Sequence, residues 1–177
     1  MRTELKTVAV LCDNEALSAI VEMVLSSHRS LRVRTFKDEA TLRLYMLIAP
    51  VELLVCDNSD AIDPIGVVSR LRATPELASP GFQAVILSRT AVPSLRARCA
   101  GAGIDEVMMK PVSPRYLEDR VLARLNEVTQ HRVADIYLQS QGQKPTSRNA
   151  DRNPSRRPAN VVPLFGVRPA PDWQPHA

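Results

Sequence analysis

The stretch Glu52-Leu53-Leu54-Val55-Cys56-Asp57 decides the fold, because an uninterrupted apolar run leads directly onto a carboxylate. An apolar run of this length is typical of a strand that is buried on both faces of a parallel sheet. In open parallel sheets, ligands bind just beyond the carboxyl ends of the strands. The stretch therefore predicts a central strand and, at its end, a candidate functional residue, Asp57.

Other short strand-like runs lie on both sides of this stretch, at residues 7–12, 31–36, 84–88 and 106–110. The segments between them have apolar residues at helical spacing, and the last such segment begins near Ser113. Alternation of strands and helices predicts a parallel sheet covered by helices. With right-handed crossovers, the predicted fold class is α/β: a doubly wound (βα)₅ sheet with strand order 2-1-3-4-5.

Composition divides the chain into two parts, a folded domain over residues 1–130 and a tail over residues 131–177. The first part has equal numbers of basic and acidic residues, so the net charge of +4 resides in the tail, which also holds half of the prolines. Few apolar residues remain there, which predicts a basic, Pro-rich tail that is mostly disordered. A small apolar cluster begins at Val161 and is either incidental or a motif that docks on a partner or on the folded domain.

Several classes of protein are excluded by the same composition. No apolar stretch approaches the roughly 20 residues of a membrane span, so no membrane contact is expected. The cysteines are few and widely spaced, which indicates reduced thiols and a cytoplasmic location. The tail arginines are scattered and lack neighbouring aromatic residues, which argues against a nucleic-acid partner.

Polar residues collect at the predicted carboxyl ends of the strands. These residues, in chain order, are Cys12, Asp13, Asp57, Ser88 and Lys110. A carboxylate can act as a nucleophile towards phosphorus, and Mg²⁺ prefers carboxylate and phosphate oxygens. A lysine ammonium and a hydroxyl can both bind a phosphoryl oxygen. Together these side chains suit a site at which an aspartate is phosphorylated.

Over residues 6–130 the chain resembles the response-regulator receiver domain. In that family an acidic pair ends the first strand, an aspartate the third, Thr or Ser the fourth and Lys-Pro the fifth. The matching positions here are Cys12-Asp13, Asp57, Ser88 and Lys110-Pro111.

The resemblance implies a role for each matching position. Asp57 would take a phosphoryl group from a histidine kinase or a histidine phosphotransfer protein. Mg²⁺ would be held by Asp13, Asp57 and the backbone carbonyl of Ser59. Lys110, joined to Pro111 by a cis bond, would contact the phosphoryl group, and Ser88 would move to bind it.

The sequence departs from the family pattern near the site. Cys12 replaces the first acidic residue, and sulfur is a poor ligand for a hard cation, so Mg²⁺ binding should be weaker. Val107 stands where many members carry an aromatic residue that moves with the Thr or Ser. The loop 58–64 also lacks the common Met-Pro pair.

The function that follows is that of a stand-alone two-component response regulator. It would act through phosphorylation-dependent contact with a downstream protein and would not be an enzyme in its own right. The apolar stripe of the last helix also allows a homodimer. The alternative, which the departures favour, is a pseudo-receiver that binds its partner irrespective of phosphorylation.

Overall fold

The computed structural model describes residues 5–126 and the backbone of a short strand, Val161–Val162. Apart from that strand, the predictions for residues 131–177, including the disordered tail, lie outside the described residues. The predicted boundary at residue 130 lies outside them too. No helix within residues 5–126 is long and apolar enough to cross a membrane.

Five strands form the predicted parallel sheet in the predicted order 2-1-3-4-5. They are β1 (Lys6–Leu11), β2 (Leu31–Phe36), β3 (Leu53–Asp57), β4 (Gln83–Ser88) and β5 (Glu106–Met109). A sixth strand, β6 (Val161–Val162), pairs antiparallel with β5 at the edge of the sheet. The sequence pattern had not indicated this strand.

Four helices connect successive parallel strands, and a fifth follows β5. They are α1 (Glu15–Ser26), α2 (Glu39–Ile48), α3 (Pro64–Arg72) and α4 (Pro93–Gly101); α5 is helical over 114–126, where the described residues end. The first three begin at Asn14, Asp38 and Asp63, whose side chains accept backbone N–H groups of the first turn. Such caps satisfy donors that have no partner within the helix and typically contribute about 1 kcal/mol each.

The core has two layers, one on each face of the sheet. Every residue of β3 is buried, as expected for its central position, whereas β2 at the edge alternates buried and exposed residues. Leu54 and Cys56 pack into one layer with α2 and α3, and Leu53 and Val55 pack into the other with α1 and α5. Burial on both faces fixes the register of β3 and therefore the position of its last residue, Asp57.

A buried ion cluster links α5 to the start of β5, at the end of the sheet where the strands begin and away from Asp57. The carboxylate of Glu106 is completely buried and accepts two hydrogen bonds from Arg120 and one from Arg124, each at 2.7 Å. Arg124 also donates to the backbone carbonyl of Asp105. The cluster therefore links two successive turns of α5 to the start of β5.

Candidate functional site

Parallel pairing brings the ends of the four central strands to one edge of the sheet. Asp57 pairs with Leu87 on β4, and Ser88 pairs with Met109 on β5, the residue just before Lys110. On the other side of β3, Leu11 pairs with Cys56, so Cys12 and Asp13 follow at the same level. The residues predicted from the sequence therefore share one edge, which is why their side chains can meet.

An ion pair between Asp57 and Lys110 forms the centre of this site. Lys110 Nζ lies 2.6 Å from Asp57 Oδ1 and 3.4 Å from the carbonyl oxygen of Asn58. The two side chains are only 4% and 18% exposed for Asp57 and Lys110, so the attraction is weakly screened. The other carboxylate oxygen, Oδ2, accepts no hydrogen bond from any residue in the described part of the chain. Lys110 thus binds one carboxylate oxygen of Asp57, and no residue within 5–126 donates a hydrogen bond to the other.

Three potential metal-ligand atoms lie within 4.8 Å of one another, one each from Cys12, Asp13 and Asp57. The carboxylates of Asp13 and Asp57 are hard oxygen ligands that suit Mg²⁺, which commonly takes one or two carboxylates together with phosphate oxygens and water. The sulfur of Cys12 does not suit it. The donor set therefore fits Mg²⁺ through its two aspartates, with one fewer carboxylate than an acidic pair on β1 would supply.

The Cys12 thiol is held in its neutral form. Burial raises its pKa, as do the nearby carboxylates of Asp57 and Asp13, while a hydrogen bond with the backbone of Asn14 and the positive charge of Lys110 act in the opposite direction. A raised thiol pKa favours the uncharged form at neutral pH. Cys12 therefore adds no negative charge to this cluster of potential metal ligands.

Ser59 enters the site through its side chain. Its hydroxyl donates to Asp13 Oδ1 at 2.9 Å and accepts the backbone N–H of Ile62 at 3.2 Å. These bonds join the loop after β3 to the end of β1. The predicted role of Ser59 rests on its backbone carbonyl; the contact that the structure shows is made by the hydroxyl.

Asn58 is a site residue that the sequence analysis missed. Its side-chain amide donates to Ser88 Oγ at 3.1 Å, and its backbone carbonyl accepts the bond from Lys110. Ser88 Oγ, which is buried, also accepts the backbone N–H of Thr90. Ser88 is thus connected to the ion pair through Asn58. The signal in the sequence was its position directly after Asp57 at a strand end.

Two further expectations concern β5 and its end. The peptide bond between Lys110 and Pro111 is cis, as the resemblance implied. Val107 is fully buried in the core layer that includes Ile86 and Ile104. The position that the resemblance gave to an aromatic residue is therefore occupied by an aliphatic side chain of the core.

The comparisons with known proteins establish the fold. No family model matches the chain, and no curated protein matches its sequence. A response regulator receiver domain protein (CheY-like) from Methanospirillum hungatei JF-1 is similar in structure, with a TM-score of 0.64 and 18% identity over 72% of this chain and 99% of its own.

A putative response regulator from Chloroflexus aurantiacus J-10-fl gives a TM-score of 0.61 and 21% identity, over 70% of this chain and 99% of its own. The chemotaxis response regulator CheY4 of Vibrio cholerae gives 0.60 and 17%, over 68% and 98%. The chain therefore has the receiver-domain fold.

Proposed function

We propose that this receiver-fold chain is a response regulator that is phosphorylated on Asp57 and signals through contact with another protein. The observation that carries the proposal is the state of the Asp57 carboxylate. Lys110 holds Oδ1 at 2.6 Å, Oδ2 accepts no hydrogen bond within residues 5–126, and the group lies at the carboxyl edge of a parallel sheet. This arrangement suits a nucleophile whose reaction builds up negative charge beside a fixed cation.

The reaction would proceed by in-line attack on a phosphohistidine. Asp57 Oδ2 forms a bond to phosphorus while the bond between phosphorus and the histidine nitrogen breaks. The electron pair of that bond stays on the imidazole, which takes a proton from solvent. Lys110 then faces both the carboxyl group and the phosphoryl oxygens, where its charge offsets the negative charge that spreads over them.

Asp13 and Asp57 are the residues that would hold Mg²⁺, with Ser59 bonded to Asp13. When bound, the ion supplies positive charge that offsets the charge on the phosphoryl oxygens. Without it, this chain brings the negative charges of Asp13 and Asp57 close together. Removal of the cation should therefore slow phosphorylation of Asp57 more than substitution of any single neutral residue of the site.

The donor would be a histidine kinase or a histidine phosphotransfer protein, and the output would be contact with a downstream protein. Ser88 is linked to the ion pair through Asn58 by two hydrogen bonds, and it is thereby placed to respond to a phosphoryl group on Asp57. The chemistry acts on the chain itself, so the protein would not be an enzyme for an external substrate.

A second candidate is a pseudo-receiver, which would use the same fold as a phosphorylation-independent binding module. It is favoured by the neutral thiol of Cys12 within the cluster of potential metal ligands and by the enclosed side chain of Val107. The two functions differ in whether Asp57 reacts. They share the interaction with a partner protein.

Incubation with acetyl phosphate or phosphoramidate and excess Mg²⁺, followed by intact-mass measurement, separates the two functions. We expect one phosphoryl group on the wild-type chain and none on Asp57→Asn. Asp60→Asn is the matched control, because Asp60 is an exposed aspartate of the same loop, and it should be modified like the wild type. Absence of modification on the wild type at saturating Mg²⁺ would favour the pseudo-receiver.

A further inference from the structure

The cluster at the end of β1 offers a cation one sulfur and two oxygen ligands. Cys12 Sγ and one carboxylate oxygen each from Asp13 and Asp57 lie within 4.8 Å of one another. Zinc binds oxygen and sulfur at about 2.0–2.3 Å, so the ligand atoms around one ion lie about 3–4 Å apart. Small side-chain rotations would therefore bring these three atoms to a single ion. Asp13 is exposed, which leaves the cluster open to solvent.

The two aspartates are each bound at one carboxylate oxygen and free at the other. Lys110 donates to Oδ1 of Asp57, and the hydroxyl of Ser59 donates to Oδ1 of Asp13. Within residues 5–126, no group donates a hydrogen bond to Oδ2 of either side chain. Asp57 is buried, and a buried carboxylate oxygen without a partner is costly unless a ligand or water binds it. Carboxylates that bind metals are typically oriented by such outer hydrogen bonds, so both aspartates are arranged as ligands.

Cys12 is fixed at the cluster by its backbone. Its N–H donates to the carbonyl of Phe36 on β2 at 3.0 Å, and its side chain is buried. The thiol itself has one weak hydrogen bond, to the backbone carbonyl of Asn14 at 3.4 Å. Little hydrogen bonding is therefore lost when a metal ion takes the place of the thiol proton.

The sulfur ligand decides which cation suits the cluster. Thiolates select borderline and soft ions such as Zn²⁺, whereas Mg²⁺ prefers oxygen ligands. Zinc commonly binds three protein ligands and one water molecule, and Cys12, Asp13 and Asp57 supply the three. The thiolate and the two carboxylates together outweigh the positive charge of Lys110, so a divalent cation is attracted in spite of it.

We propose that Cys12, Asp13 and Asp57 bind Zn²⁺ in preference to Mg²⁺, with the sulfur of Cys12 as a ligand and water in the fourth position. On binding, the S–H bond breaks, the sulfur keeps the electron pair and donates it to the ion, and the proton goes to solvent. Zn²⁺ and Mg²⁺ would use the same two aspartates, so each ion excludes the other. Binding requires no phosphoryl group, so the proposal does not depend on the reactivity of Asp57.

The test uses Co²⁺ as the probe for Zn²⁺, because it takes the same ligands and a cobalt–thiolate bond gives a charge-transfer band in the near ultraviolet. The full chain, reduced and free of metal, is titrated with Co²⁺. We expect one equivalent to give the band. Zn²⁺ should then displace the Co²⁺ at near-stoichiometric amounts, whereas Mg²⁺ should need about a 100-fold excess.

Variants of the cysteines identify the sulfur ligand. Cys12→Ser and Cys12→Asp should both lose the band, and Cys12→Asp keeps a charged ligand at the same position. The matched controls are Cys56→Ala and Cys99→Ala, which remove the other two buried cysteines and should keep the band. Asp13→Asn should weaken Co²⁺ binding about tenfold or more, whereas Asp60→Asn, at an exposed aspartate of the loop after β3, should not.

Absence of the band on the wild-type chain, or a band of equal intensity in Cys12→Ser, would overturn the proposal. So would a band that excess Mg²⁺ fails to displace, because the two ions would then not share Asp13 and Asp57. The spectrum needs no phosphoryl donor. Failure of the zinc site is therefore distinguishable from failure of Asp57 to be phosphorylated.

Discussion

Two buried carboxylates lie at opposite edges of the sheet, and both are paired with basic side chains. Glu106, at the start of β5, is enclosed by the guanidinium groups of Arg120 and Arg124 and accepts three hydrogen bonds from them. Asp57, at the end of β3, accepts one hydrogen bond on its carboxylate, from Lys110. Both carboxylate oxygens of Glu106 thus have hydrogen-bond partners, whereas Asp57 keeps one carboxylate oxygen available.

The difference follows from the chemistry of the partners. A guanidinium group is planar, presents several donors in fixed directions and binds a carboxylate through two parallel bonds. Lysine is a point charge on a flexible stem and leaves the rest of the carboxylate accessible. Glu106 is thus suited to fix the position of α5, whereas Asp57 is suited to react. Negative charge close to Asp57, from Asp13, adds a repulsion that the Glu106 cluster lacks.

The largest expected effect is on the rate of phosphorylation. Lys110→Met should slow the reaction of Asp57 with acetyl phosphate by about 10²–10³-fold, as expected when a preorganised positive group is removed from a charge-developing site. Lys37→Met is the matched control, because Lys37 lies on the surface and pairs with Glu15. It should react at the wild-type rate. If Lys110→Met is phosphorylated at a rate within a few fold of the wild type, the ion pair does not contribute to the reaction.

The next effect is on the free energy of unfolding, to which we expect the Glu106 carboxylate to contribute more than that of Asp57. Glu106→Gln should lower the free energy of unfolding by about 3 kcal/mol, because it removes the charge shared by two largely buried guanidinium groups. Asp57→Asn should cost less than about 1 kcal/mol, since the lost attraction to Lys110 is offset by relief of repulsion from Asp13. Urea unfolding measures both. Equal costs would show that the two clusters do not differ as described.

The smallest effect concerns the metal ligands of the Asp57 cluster. Cys12→Asp should raise the affinity for Mg²⁺ about tenfold, which corresponds to roughly 1.4 kcal/mol, because it adds a hard carboxylate oxygen next to Asp13 and Asp57. Cys12→Asn has nearly the same shape without the charge and should bind Mg²⁺ much like the wild type. Titration calorimetry measures the constants. An unchanged affinity in Cys12→Asp would place residue 12 outside the ion's reach.

The sequence predicted the Asp57 region well and the Glu106 region poorly, for a physical reason. Strands that are buried on both faces are continuous apolar runs, so their polar end residues, such as Asp57 and Lys110, are visible in the sequence. Glu106 begins such a run, and nothing local shows that its charge is buried. Arg120 and Arg124 are spaced like ordinary surface residues of a helix, and only the packing of α5 on β5 brings them to Glu106.

Other misses have the same origin in contacts between distant parts of the chain. Asn58 looks like a common loop residue until the ends of β3 and β4 bring it to Ser88. β6 joins β5 through two residue pairs, and two valines between prolines carry no periodic strand signal. Local periodicity therefore predicts the order of the strands and the strand ends at which the candidate site lies. It does not predict which distant side chains or segments complete the site or the sheet.

The most direct test of the account is to locate the phosphoryl group after reaction with acetyl phosphate and Mg²⁺. Borohydride reduces an aspartyl phosphate to homoserine, and peptide mass mapping then identifies the modified position. We expect modification at Asp57 alone, with Glu106 and the neighbouring Asp13 and Asp60 unmodified. Modification at Asp13 or Asp60 in place of Asp57, or none at saturating Mg²⁺, would contradict it.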